Sequence, residues 1–301
     1  MKILITGSSG FIGSRCVAAA KARGHQVYLF DQDIGWNIRT FTNISAWAPS
    51  PPPDCILHLA GYSSLAGFAD HMFDAYSANV TGFLNVLRMA HLHKARLVYA
   101  SSSAVYGKPP CIRHENLNCI ECPEDEWDRA YPFPEDEFID LTGTASHYGK
   151  SKLIDEMMAE SFRTIGLSCL GLRIFNAYGK GDEVKPVGRQ APPTWMQAAK
   201  AAAEPMRIYS DGTQAKDFIH ISDVVELTMR LLESDATGIV NVGTGVATSF
   251  NALADLIGGE REYAPIPNPE SYQYFTKADT TRLLSIVGPY EFKSVEEGLA
   301  L

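Results

Sequence analysis

The chain has 301 residues, 35 acidic against 26 basic side chains, a formal net charge of −9, six cysteines and 46% hydrophobic residues. That length can bury a core without disulfides or metal, and the composition excludes a disordered chain and a disulfide scaffold. The acidic balance speaks against a general nucleic-acid binder, and no stretch approaches the roughly 18 uncharged apolar residues of a spanning helix. The expectation is a soluble, cytoplasmic protein with no membrane and no nucleic-acid partner.

Residues 2–6 form a short apolar run that ends in a Gly-rich turn, the pattern of a buried parallel strand. Residues 11–23 have helical spacing and stop at Gly24. Further strands are predicted over 26–30, 55–59, 96–100, 168–175 and 239–242. Helices are predicted over 72–92, 147–165, 192–203 and 222–233. The helix over 72–92 carries apolar residues on more than one face, so it is expected to be covered on two sides. Strands alternating with helices of this length predict an α/β fold with a doubly wound parallel sheet. Residues 108–143 break the rhythm, being rich in Pro, Cys and acid. A segment of that kind is expected to be functional, locally structured or a lid.

Gly7-Ser8-Ser9-Gly10-Phe11-Ile12-Gly13 follows the first strand and opens the first helix. Gly7 permits a tight turn, Gly10 lets backbone approach a pyrophosphate, and Gly13 permits close helix–strand packing. The N–H groups and dipole at the helix start attract phosphates. Asp31 ends the second strand, where an acid accepts hydrogen bonds from an adenosine ribose and repels a 2′-phosphate. No Arg or Lys follows at once, which favours NAD over NADP. An ordinary turn aspartate is the plainer alternative. In Tyr148-Gly149-Lys150-Ser151-Lys152 the first and last residues share one helix face. An ammonium close to a phenol favours the phenolate, and such a tyrosine can exchange a proton with a substrate hydroxyl.

Together these motifs resemble the extended short-chain dehydrogenase/reductases of the nucleotide-sugar epimerase and dehydratase family. The resemblance also rests on residues 54–60 (DCILHLA), 101–107 (SSSAVYG), 172–179 (LRIFNAYG), 211–221 with Asp223, 241–245 (NVGTG) and 295–299 (VEEGL). It implies a Rossmann-type domain over residues 1–176 with the insert 108–143, completed by about 216–248. A small substrate-binding domain would follow from 177–215 and 249–301. It implies Ser102 as the catalytic hydroxyl, with Ser103 the alternative if the register shifts. Tyr148 would be the acid/base, and Lys152 would hold the nicotinamide ribose. Phe11, Ile12, Leu59 and Ala60 would line NAD together with the glycines and Asp31. Ser102, Ser103, Asn176, Arg189, Arg207 and Lys216 would face a nucleotide-sugar. Asn176 could equally cap the end of its strand. The resemblance further implies a homodimer through the long helix and the tyrosine helix.

Three departures limit what carries over. Dehydratases of the family place acids just after the catalytic hydroxyl, where this chain has Ser103 and Ala104. Elimination is therefore not expected, and reversible hydride transfer with one acid/base suffices for a 4-epimerase. Lys216 stands where the family often has Arg, which binds phosphate bidentately. The insert, finally, follows the serine motif directly.

The insert holds ten acids and three bases, a net −7, while the rest of the chain has 25 acids and 23 bases, a net −2. Acidity is thus a property of this segment. Cys111, His114, Cys119 and Cys122 have pairwise spacing suited to a tetrahedral zinc. Unligated cysteines in a loop, or a redox pair of Cys119 and Cys122, are the other readings. Glu135, Asp136 and Glu137 could replace the missing dehydratase acids or be plain solvated charges. Cys16, Cys55, Cys169 and His58 fall in apolar patterns and are expected in the core. The expected function is an NAD-dependent nucleotide-sugar 4-epimerase. A dehydratase or other 4-keto-forming oxidoreductase is the nearest alternative, and a non-catalytic nucleotide-sensing regulator is a rival of another class.

Overall fold

A computed structural model describes residues 1–40, 50–63, 68, 71–107, 132–135, 146–185, 190–266 and 272–301. The strands are β1 (Lys2–Thr6), β2 (Gln26–Phe30), β3 (Cys55–His58), β4 (Arg96–Ser102), β5 (Cys169–Ile174), β6 (Asn176–Tyr178), β7 (Met206–Tyr209), β8 (Ala215–His220), β9 (Gly238–Val242), β10 (Ala247–Ser249) and β11 (Arg261–Ala264). The α-helices are α1 (Gly13–Ala22), α2 (Met72–Tyr76), α3 (Gly82–His93), α4 (His147–Arg163), α5 (Pro192–Ala201), α6 (Ile221–Glu233), α7 (Phe250–Ile257), α8 (Thr281–Val287) and α9 (Val295–Leu299). The central sheet is Rossmann-type: parallel, with strand order β2-β1-β3-β4-β5-β9. The order reverses between β1 and β3, and in open sheets of this kind ligands bind beyond the carboxyl ends of the strands at that point.

Alternation along each strand assigns residues to two cores. Leu4, Ile56, Leu97 and Cys169 lie in register across four strands. They pack with Phe83, Val86, Leu87 and Ala90 of α3 and Ala159 of α4. Their neighbours Ile5, Leu57, Val98 and Leu170 point the other way, onto Cys16 of α1 and Val224, Leu227 and Leu231 of α6. A sheet covered on both faces needs apolar residues pointing both ways, and residues 3–5 of β1, 55–57 of β3 and 169–172 of β5 read that way.

The predicted helix over 72–92 is observed as α2 and α3 joined by a π-helical turn, Ser77–Thr81. Its two-sided apolarity is explained within the chain: one side meets the sheet and the other meets α4. Cys16, Cys55 and Cys169 are buried free thiols, and burial pushes each up to about 12. His58 is buried too, with Nδ1 2.7 Å from Thr6 Oγ1.

Beyond β5 the chain builds a second, three-stranded sheet, β10-β8-β6, and a parallel pair, β11-β7. Met206, Ile208, Phe218, Phe250 and Leu253 form a core of their own there. The downstream end of the insert is tied to this region. Phe133 N–H donates to the Lys277 carbonyl at 2.9 Å and the Asp279 N–H to the Phe133 carbonyl at 3.2 Å. The Phe133 ring stacks on Tyr106 at 4.6 Å. The candidate metal ligands Cys111, His114, Cys119 and Cys122 lie outside the described residues, as do Asp136 and Glu137.

Candidate functional site

The Gly-rich turn, Asp31, Leu59–Ala60 and Ser102 all sit at the carboxyl edge of the central sheet, each at the end of its strand. Gly7 has φ +69°, and a Cβ there would lie 2.6 Å from the Ala60 nitrogen. Only glycine lets the end of β1 lie against the end of β3 in this way. Gly10 is exposed, and a Cβ there would meet only the Gly7 carbonyl of its own turn, at 3.2 Å. Its bare face is open to a phosphate. The Phe11 ring carries two cations, the Arg15 guanidinium 4.8 Å and the Lys185 ammonium 4.4 Å from its centre. Ile12 packs against the core under α1. Both residues thus leave backbone for a dinucleotide. Asp31 Oδ2 accepts the Ser9 N–H at 2.8 Å, and Oδ1 accepts the Asp33 N–H at 3.1 Å. The acid is thereby locked beside the turn, and the donor and acceptor set fits a dinucleotide with a free ribose diol.

Ser102 ends β4 and caps a 3-10 turn, Ser103–Tyr106, its Oγ accepting the Ala104 N–H at 3.2 Å. Tyr148 lies in the first turn of α4, half-buried, with its ring 5.9 Å from Phe68. The Ser146 hydroxyl caps that helix by accepting the Gly149 N–H at 3.0 Å. Lys152 follows one turn later, buried, its Nζ 3.3 Å from Asp155 Oδ2. Helix α4 packs on both β4 and the 3-10 turn, which brings the serine end and the tyrosine face together.

Several residues of this site went unnoticed in the sequence. Asn79, in the π-helical turn, accepts the Tyr62 N–H at 2.8 Å and donates to Ser151 Oγ at 3.1 Å. It ties the loop after β3 to the tyrosine helix, a use typical of π-helical turns near sites. Ser101 donates to Glu156 at 2.5 Å, and Glu156 receives Arg173 Nε at 3.0 Å and Nη2 at 2.8 Å. This buried fork braces β4 and β5 against α4. The signal available was spacing: Asp155 and Glu156 stand three and four residues after Lys152.

The substrate-side residues divide. Asn176 donates both amide hydrogens, to the Asp217 carbonyl at 3.1 Å and to Thr276 Oγ1 at 3.2 Å, leaving its amide oxygen for a ligand. Lys216 donates to the Gln273 carbonyl and lies 5.7 Å from the centre of the Tyr272 ring, and burial lowers it to about 7. Gln273 in turn donates to the Ser103 and Gly107 carbonyls at 3.2 and 2.6 Å, linking Lys216 to the serine turn. Arg207 is exposed on β7 and pairs with Glu262 of β11 at 3.6 Å. Arg189 lies outside the described residues. Glu135 does not behave as a solvated charge. Its carboxylate accepts the Asn241 N–H at 2.8 Å, and burial pushes it up.

The profile of the NAD dependent epimerase/dehydratase family matches residues 3–243. The chain belongs to that family. That family is described as one of NAD-dependent epimerases and dehydratases. The UDP-glucuronic acid decarboxylase 5 of Arabidopsis thaliana is 28% identical over 322 residues, covering 100% of this chain and 88% of the plant protein. The UDP-glucose 4-epimerase of Thermotoga maritima, solved with UDP-glucose, superposes with a TM-score of 0.84 at 25% identity, covering 99% and 96% of the two chains. MoeE5, solved with UDP-glucuronic acid and NAD, gives 0.79 at 26% identity, covering 100% and 97%. Among the described residues no helix is long and apolar enough to cross a membrane.

Proposed function

We propose that this family member is a nucleotide-sugar 4-epimerase working through a transient 4-keto sugar. Bound NAD would supply the acceptor that takes a hydride from the sugar C4 and returns it. Tyr148 would take the C4 hydroxyl proton as the hydride leaves and give it back after the sugar has turned. Ser102 would hold the same hydroxyl. Lys152 would hold the cofactor ribose and favour the phenolate. Lys216, with Arg189 and Arg207, would face the diphosphate, while Asn176, whose amide hydrogens are both engaged, would offer its oxygen to a substrate N–H or O–H. The nucleotide-sugar would lie between the carboxyl edge of the sheet (the NAD-binding part, 1–176 with about 216–248) and the part made by 177–215 and 249–301.

The observation that carries this reading is at the serine turn. Ser103 and Ala104 follow Ser102 where an eliminating enzyme needs acids, and Glu135, the one insert acid among the described residues, accepts the Asn241 N–H. The test is to incubate the protein with UDP-, dTDP-, GDP- and CDP-hexoses and weigh the products. A new sugar of unchanged mass supports epimerisation. Loss of a water mass would overturn it in favour of a dehydratase. The second reading is another 4-keto-forming enzyme that decarboxylates, favoured by the whole-length relatives named as UDP-glucuronic acid decarboxylases. Loss of carbon dioxide from UDP-glucuronic acid would establish it. Tyr148→Phe should lower turnover about 10²–10⁴-fold in either case. A variant that kept its biological role intact would instead favour a regulator.

A further inference from the structure

Lys152 is 5% exposed, and Asp155, one turn further along α4, is 0% exposed. Asp155 Oδ2 lies 3.3 Å from Lys152 Nζ. Its Oδ1 is buried with no hydrogen-bond partner among the described residues. A carboxyl half-satisfied in this way costs free energy wherever it stands.

The surrounding charges show what it serves. Glu156, the next residue, is engaged by Arg173 and Ser101. Tyr99 approaches from β4 with its hydroxyl held neutral by burial. His58 of β3 faces Lys152, and burial lowers it to about 3, so it is neutral as well. Of the cations around Asp155, Lys152 is the one that bears on it. A buried ammonium needs an oxygen to donate to, because a polar group taken out of water without a hydrogen-bond partner is strongly unfavourable.

We infer that Asp155 is a positioning residue for Lys152, fixing the ammonium on the helix face it shares with Tyr148, where a cofactor ribose would meet it. The inference rests on the NAD reading of the site. Burial pushes the Asp155 carboxyl up to about 7 despite Lys152 beside it. Around neutral pH it therefore changes between carboxylate and carboxylic acid, and both forms offer an oxygen to the ammonium. A neutral amide of the same shape should do so too.

The test is calorimetric titration with NAD of the wild type, Asp155→Asn and Asp155→Leu. The amide variant should bind within about threefold of wild type, whereas the leucine variant should bind at least about tenfold more weakly. Leucine binding as tightly as wild type would overturn the inference, since a residue that merely fills the core should tolerate an apolar side chain of similar size. A second readout needs no cofactor. In protein with nitrogen-labelled lysine, the Lys152 ammonium signal, identified by its loss in Lys152→Arg, should exchange slowly with solvent. Exchange as fast as that of surface lysines would equally sink the inference, even if the leucine variant fails to fold. A wild type that ignores NAD but shows the slow ammonium would strike the cofactor reading alone.

Discussion

A Cβ placed on Gly13 would sit 1.9 Å from the Gly7 carbonyl oxygen and 2.8 Å from its carbonyl carbon. The start of α1 is thus in backbone contact with the turn that ends β1, and neither side is a flexible side chain that could give way. Gly13→Ala should cost about 3 kcal/mol of stability and weaken NAD binding at least about tenfold, read by denaturant unfolding and NAD titration. Gly10→Ala is the contrast, since its Cβ would meet one turn atom at 3.2 Å. It should fold with a change under about 1 kcal/mol and still bind NAD poorly.

Asp31 accepts the Ser9 N–H at 2.8 Å, which anchors the acid where a ribose would lie. Asp31→Ala should weaken NAD binding about tenfold and narrow its preference over NADP, because the 2′-phosphate no longer meets a carboxylate. Parallel titrations with both cofactors check this. An unchanged ratio of the two affinities would place the discrimination elsewhere.

Two buried groups should give stability opposite pH slopes. Asp155 is raised to about 7, so its contribution is greatest below the free carboxyl range and disappears as pH climbs through about 7. His58 is lowered to about 3, so its contribution is complete above its free value and is lost progressively as pH falls toward 3. Stability of wild type relative to Asp155→Asn should therefore decline from about pH 4 to about pH 8. Relative to His58→Asn it should decline in the other direction. Urea unfolding across that range measures both differences.

Arg173 and Glu156 form a buried, doubly hydrogen-bonded pair between β5 and α4. Arg173→Leu leaves the Glu156 carboxylate in the core with the Ser101 hydroxyl but without its cation, and should cost about 3–5 kcal/mol. Adding Glu156→Leu should recover part of that loss, since an apolar pair replaces a lone charge. Denaturation of the single and double variants decides.

Phe73 of α2 is 90% exposed and Leu92 at the far end of α3 is 67% exposed. With the expected homodimer, these ends of the long helix would be covered. Light scattering at micromolar concentration should report a dimer, and Phe73→Asp should shift it toward monomer. A monomeric wild type would refute the expectation.

The alternating helices and strands, the glycine spacing at 7–13 and the Tyr148–Lys152 interval were legible because each is set by neighbours in sequence. A turn, a helix start and an i, i+4 face are local geometry, and the hydrophobic period reports which face is buried. The short strands β6, β7, β10 and β11 were not legible, because three or four residues carry too little period to stand above loop. Nor was the second covering of the long helix, which the sequence could not distinguish from a subunit contact and which α4 supplies within the chain. The residues behind the candidate site, Asn79, Ser101, Asp155, Glu156 and Gln273, are polar side chains that look like surface when read in line. What makes them part of the site is burial beside a particular partner from a distant element, an electrostatic fact that exists only once the chain has folded. Sequence alone therefore determined the family this protein belongs to and named its candidate reactive groups, and tertiary packing decided what holds them.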